Sequence, residues 1–205
     1  MKTPPIILAS QSPRRRILLN QIGFRFKVVP SRVGESFRPG ESARGNALRI
    51  ALEKAADVAS RRRRGVVIGA DTIVVIDGAM LGKPSTPADA RRMLRLLSGR
   101  VHVVLTAFAL IDCSSGRHVA GIERTKVRFR KLSEKEIRSY VASGSPMDKA
   151  GAYGIQDDYG AVFVESVTGC FYNVVGFPLA RFYVIFTKFM QQIQTRSRKR
   201  RNHGT

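Results

Sequence analysis

Two long β-prone segments, Val101 to Ile111 and His118 to Arg130, are separated only by a short stretch containing Ser114-Ser115-Gly116. A connection that short, built of turn residues, makes the two strands antiparallel neighbours. A chain holding such a hairpin cannot form a purely parallel sheet. Around it, strand and helix signals alternate. Ile6 to Ala9 is a short apolar strand. Ser12 then stands at an N-cap, Pro13 at the first helical position, and Ile17, Leu18 and Ile22 form a stripe closed by Gly23. Phe24 to Val29 alternates like a strand, and residues 30–40 form a loop rich in Pro, Gly and Ser. A helix is expected from about Glu41 to Ser60, with Leu48, Leu52, Ala55 and Ala59 on one face.

Val66 to Ile76 reads as a buried strand broken at Gly69-Ala70-Asp71-Thr72, and Asp77-Gly78 is a two-residue hairpin signal. Thr86-Pro87 opens a helix that Gly99 closes. Ser133 and Glu136 spell a capping box for a helix ending at Gly144. Ala161 to Glu165 reads as a strand, and Pro178 to Gln191 as a terminal helix. The expected class is α/β with a mixed sheet.

The chain has 205 residues, 43% hydrophobic and 25% charged, enough to bury a core without staples. No apolar run reaches the ~18 residues of a membrane span, and the start lacks a signal-type apolar region. A soluble cytoplasmic protein is expected. Cys113 and Cys170 are too far apart for a Cys-x-x-Cys pair, which leaves two ordinary thiols or a disulfide.

The 36 Lys and Arg outnumber 15 Asp and Glu, for a net charge of +21. Arg61 to Arg64 form one basic run; Arg196, Arg198, Lys199, Arg200 and Arg201 form another. Such charge attracts polyanions: nucleic acid, anionic lipid or triphosphates. It equally suits a solvated loop and tail. Residues 195–205 carry neither apolar periodicity nor an acid, so they are expected as a disordered tail, with non-specific nucleic-acid contact, after a domain spanning 1–194.

No Walker A or Gly-x-Gly-x-x-Gly sequence is present, and His102, His118 and His203 are scattered. Four polar clusters remain. Ser10-Gln11-Ser12-Pro13-Arg14-Arg15 puts hydroxyls and guanidiniums at a helix N-terminus, where positive charge makes sense with a bound anion; the other reading is a plain cap with solvated arginines. Asp71 is a lone carboxylate in an apolar strand, which must be paired, metal-bound or catalytic. Lys83 sits in a Gly/Pro turn. Residues 146–156 surround Asp148, Lys149 and Gln156 with small residues that let backbone approach a ligand. Glu35 and Lys54 are further candidates. Carboxylates beside several cations suit metal-assisted phosphoryl chemistry.

Leu8 to Arg15, Gly69 to Thr72, Leu81-Gly82-Lys83-Pro84, Asp148 to Gln156 and Gly169 to Pro178 resemble, in this order, the Maf family of nucleoside triphosphate pyrophosphatases. The likeness spans about residues 6–190. It implies an elongated α/β fold similar to inosine triphosphate pyrophosphatases, with the active site in a central cleft. It also implies a homodimer and cleavage between the α- and β-phosphates with a divalent metal, Mg²⁺ or Mn²⁺. Carried over by position, Asp71 accepts the proton of the attacking water, and Glu35 and Asp71 hold the metal. Ser10, Ser12, Arg14, Arg15, Lys54, Lys83 and Lys149 line the phosphate path. The block Asp148 to Gln156 resembles the branch that prefers dTTP and UTP, with Arg14, Thr72 and Gln156 linked to base choice. Two readings compete: another base preference such as 7-methyl-GTP, and a nucleic-acid-binding protein on this scaffold. The chain departs from the family at Gly34-Glu35, where Asp-Glu is common, and at Asp157-Asp158, where glycine is usual.

Overall fold

The computed structural model describes residues 4–156 and 159–202. It is an α/β fold on one seven-stranded mixed sheet. The first strands are β1 (Ile6–Leu8) and β2 (Phe26–Val28), with α1 (Pro13–Gln21) between them. Helix α2 (Ala43–Ala59) leads to β3 (Val66–Ile76), and a hairpin returns as β4 (Ala79–Leu81). Then come α3 (Pro87–Leu97), the long pair β5 (Val101–Asp112) and β6 (His118–Phe129), α4 (Glu134–Ala142), β7 (Val164–Thr168), α5 (Phe171–Val175) and α6 (Leu179–Asn202).

The strand order is β2-β1-β3-β5-β6-β7, with β4 also on β3. β1 is parallel to both β2 and β3; all other pairs are antiparallel. The expected caps form. Ser12, Thr86 and Ser133 accept from the backbone N–H three residues on, and Ser133 with Glu136 completes a capping box. Asp77 and Gly78 both have positive φ, as a type I′ hairpin turn requires.

Three expectations change. β3 runs unbroken through Gly69-Ala70-Asp71-Thr72, because β5 pairs with it from Val66 to Val75. Tyr159–Phe163 is a 3₁₀ turn, in which Phe163 drops fully into the core, so β7 begins only at Val164. α6 passes Gln191 and continues to Asn202, with core-facing residues from Leu179 to Ile193.

Three apolar clusters hold the sheet. One, around Leu94, Leu97, Phe129 and Phe163, packs under α3 and α4. A second joins α1 and α6 through Leu19, Phe108, Phe177 and Phe182. The third lies beneath α2, with Ala51, Ala55, Val67 and Ile73. Cys113 and Cys170 are free thiols.

Candidate active site

β1 stays beside β3 only from Val66 to Ile68, ending in a hydrogen bond from the Ala9 N–H to the Ile68 carbonyl at 2.8 Å. β4 takes up the same edge at Val74. Between them the Gly69–Ile73 edge of β3 has no strand partner among the described residues, while its other edge stays paired with β5. The sheet therefore has a notch, and a cleft of about 640 Å³ opens there. Because successive strand residues point to opposite faces, Asp71 and Thr72 reach the cleft from different sides of the sheet.

On the Asp71 side, α2 lies against β3 with almost no gap. A Cβ on Gly69 would stand 2.2 Å from the Ala51 carbonyl oxygen, so only glycine admits this approach. It brings Lys54 over Asp71: Lys54 Nζ donates to Asp71 Oδ1 at 2.8 Å and to Glu35 Oε1 at 2.7 Å. Lys83 Nζ pairs with Glu35 Oε2 at 2.7 Å. Lys54 and Asp71 are both buried. Burial raises the Asp71 pKa, with Lys54 and then Arg15 pulling against it. For Glu35 burial acts upward too, but Lys54 and Lys83 prevail and hold it at about 2. The two carboxylates thus differ in character: Glu35 is a fixed anion, and Asp71 is the better base.

Ser12 caps α1 with a long bond from the Arg15 N–H, and Ser10 Oγ accepts from the Ser12 N–H at 3.2 Å. Arg14 and Arg15, the first two of the three arginines that follow Pro13, part company, since neighbouring helical residues point in different directions. Arg15 turns inward and is buried. Its Nε donates to the Gly176 carbonyl, Nη1 to Ser10 Oγ and the Ala70 carbonyl, each at 3.0 Å, and Nη2 to Thr72 Oγ1 at 3.1 Å. With four of five N–H groups committed, Arg15 braces β1, β3 and the start of the Gly176 turn rather than offering a free fork to phosphate. Burial lowers its pKa, and Asp71 is the first charge to offset that.

Arg14 points outward to the cleft. It donates to Asp148 Oδ2 at 2.8 Å and to the Asp148 carbonyl at 3.0 Å. Lys149 Nζ bonds the other oxygen of Asp148 at 2.9 Å and the Ser145 carbonyl at 2.5 Å. Burial acts to raise the Asp148 pKa, but Lys149 and Arg14 bring it below the usual range.

All eleven expected site residues line the same cleft. They sort into an anionic-cationic half, with Glu35, Lys54, Asp71 and Lys83, and a half where Thr72 adjoins Val74, Val104, Tyr153 and Val174. Gln156 belongs to the wall; Asp157 and Asp158 lie outside the described residues. Sequence reasoning missed the apolar half. It also missed the role of Asp148 as the acid that holds Arg14 and Lys149, whose signal was its place among small residues. Among the described residues, no group of three or more His, Cys, Asp or Glu side chains converges on a metal position. Glu35 and Asp71, both paired with one ammonium, are hard oxygen donors of the type that could hold Mg²⁺ if phosphate oxygens completed its shell.

The chain is similar to curated proteins across most of its length. A dTTP/UTP pyrophosphatase of Thermococcus onnurineus (strain NA1) is 52% identical over 174 residues, covering 85% of this chain and 92% of that one. One of Syntrophomonas wolfei subsp. wolfei is 50% identical over 176 residues, 86% of this chain and 93% of the relative. One of Chlorobium phaeovibrioides is 47% identical over 192 residues, 92% and 98%. The family model described as Maf-like protein matches residues 5–189. A match of that extent, on a chain whose candidate site residues line one cleft, places this protein in the Maf-like family.

Proposed function

We propose that this chain is a hydrolase that converts dTTP and UTP to the monophosphate and pyrophosphate. One observation carries the reading: Asp71, a carboxylate made more basic by burial, shares a cleft with the cations Lys54, Lys83, Arg14 and Lys149. The relatives named dTTP/UTP pyrophosphatase support it. Asp71 takes a proton from the attacking water as its oxygen bonds to the α-phosphorus. The α–β bridging bond breaks, and pyrophosphate leaves with the electron pair. Lys54 and Lys83 stabilise the charge that moves onto the phosphates, as preorganised cations do in phosphoryl transfer. Arg14 and Lys149, held apart from one another by Asp148, orient the triphosphate, and Ser10 and Ser12 define the entry to α1. Arg15 keeps these elements in register. Glu35 and Asp71 are the residues that would hold a divalent ion, Mg²⁺ or Mn²⁺, whose charge would offset that of the phosphates. Thr72 and Gln156 face the base.

The reading extends to a cytoplasmic homodimer acting on free nucleotides. Among the described residues no helix is long and apolar enough to cross a membrane. Purified protein with Mg²⁺ or Mn²⁺, given dTTP, UTP, CTP, GTP and 7-methyl-GTP, tests it by pyrophosphate release. The expected order puts dTTP and UTP first. Release from 7-methyl-GTP alone moves the base preference, and no release from any triphosphate removes the enzyme reading.

A further inference from the structure

Behind the cleft, three oxygen atoms form a line. Thr72 Oγ1 lies 3.0 Å from Thr106 Oγ1, and Thr106 Oγ1 lies 2.9 Å from the Asn173 carbonyl oxygen. Each such contact holds one proton. The carbonyl brings none, so the single hydroxyl proton of Thr106 must point to Asn173. The contact between the two threonines then uses the proton of Thr72. Arg15 Nη2 donates into the same Thr72 oxygen at 3.1 Å, which occupies one lone pair. Toward the cleft, Thr72 is left with a lone pair and no proton to give.

The relay is fixed at its far end. Asn173 is fully buried and donates to the Val104 carbonyl at 3.0 Å and to Thr125 Oγ1 at 2.9 Å. Thr106 is fully buried as well and is paired in register with Thr72 across β3 and β5. Turning the Thr72 proton toward a ligand would strand Thr106 against it inside the protein, which buried hydroxyls resist.

We propose that Thr106 is a positioning residue that makes Thr72 an acceptor only, so that this site selects a pyrimidine with an N–H on its pairing edge. The inference rests on the pyrophosphatase reading and deepens it. Thr72 shares its sheet face with Val74 and Val104, the apolar half suited to a base, and lies across the sheet from Asp71. Uracil and thymine carry N3–H, a donor, at the centre of that edge. Cytosine carries a bare N3 there, and lone pair meets lone pair. A site built to accept one donor rejects the analogue lacking it.

The test uses kcat/KM for UTP, CTP and N3-methyl-UTP on wild type, Thr106→Val and Thr106→Ser. Thr106→Val keeps the shape and frees the Thr72 proton. It is expected to lower the UTP-to-CTP ratio about tenfold, mainly through a lower KM for CTP, because Thr72 can then donate to the bare N3 of cytosine while keeping a lone pair for the N3–H of uracil. Thr106→Ser keeps the relay and is expected to keep the ratio. An unchanged ratio in Thr106→Val, or an equal loss in Thr106→Ser, overturns the proposal. If Thr106→Val does not fold, wild type decides: hydrolysis of N3-methyl-UTP as fast as UTP overturns it, and strong rejection supports it. A wild type that releases no pyrophosphate from UTP overturns the pyrophosphatase reading instead.

Discussion

Asp71 is held in two competing ways, by a buried site that favours its proton and by a Lys54 ammonium that favours its charge. Asp71→Asn keeps size and removes the base. Lys54 retains Glu35 as its partner, so the fold should survive. Pyrophosphate release from dTTP is expected to fall ~10²–10⁴-fold, the usual worth of a general base, with an unchanged circular-dichroism spectrum. Wild-type turnover in this variant would make Asp71 a structural residue. His102 offers a stability test away from the cleft chemistry. Buried between Phe129 and Tyr153, with Nε2 against the Tyr153 hydroxyl at 2.7 Å, it is held neutral by burial and titrates at about 4. An unfolded histidine titrates at about 6.5. Between those values the unfolded chain binds a proton that the folded chain refuses. The stability is complete above pH ~6.5 and is lost as pH falls toward 4, by up to ~3 kcal/mol. Urea midpoints from pH 7 to 4 should show a steeper decline for wild type than for His102→Gln; parallel curves would refute it.

At the scale of elements, the joint between α2 and β3 sets the geometry of the site. A methyl at Gly69 meets backbone atoms, Ala51 O at 2.2 Å and Ala55 N at 2.7 Å, which cannot turn aside. Gly69→Ala should therefore push α2 outward and draw Lys54 off Asp71. The expected cost is about 1–3 kcal/mol of stability, read as a lower Tm, with loss of turnover in the protein that remains folded. A variant with wild-type Tm would mean that the helix slides freely. Elements announced by local chemistry were legible in the sequence: the caps at Ser12, Thr86 and Ser133, the Asp77-Gly78 turn and the β5–β6 hairpin. The notch was not. It depends on where β1 ends and β4 begins, and no residue of β3 records where its neighbours stop. Residues 69–72 look like a break only because Gly69 and Asp71 serve α2 and the cleft, while their backbone stays paired with β5. The separate roles of Arg14 and Arg15 were hidden for a related reason. Their direction depends on how α1 is rotated against β3, which is a matter of tertiary packing. Asp71 was legible because a charge in an apolar strand demands a partner, whereas Lys54 and Lys83 stood out only through the family resemblance.

For the molecule as a whole, the 36 Lys and Arg far outnumber the 15 Asp and Glu available to pair with them. On β6, Arg124, Lys126 and Arg128 stand exposed at alternate positions of one strand face. The basic C-terminal run adds to them; the segment from 195, expected to be disordered, is helical as far as Asn202, and we propose that 195–205 is an appendage to a domain of 1–194. Deleting residues 195–205 is expected to leave kcat for dTTP unchanged and to reduce the salt-dependent binding of RNA or DNA, since counterion release scales with the cations engaged. Loss of catalysis with nucleic-acid binding intact would place the tail in the active site or a subunit contact.

An unpaired strand edge is a template on which another chain can zip. The notch leaves one over Gly69–Ile73, and the Ala70 carbonyl there is taken by Arg15 at 3.0 Å and by Lys54 at 3.4 Å. Two cations thus guard a backbone group that would otherwise invite a foreign strand. The same side chains cover the open edge and line the cleft, and Arg15→Ala is expected to aggregate, read as increased light scattering at equal protein concentration.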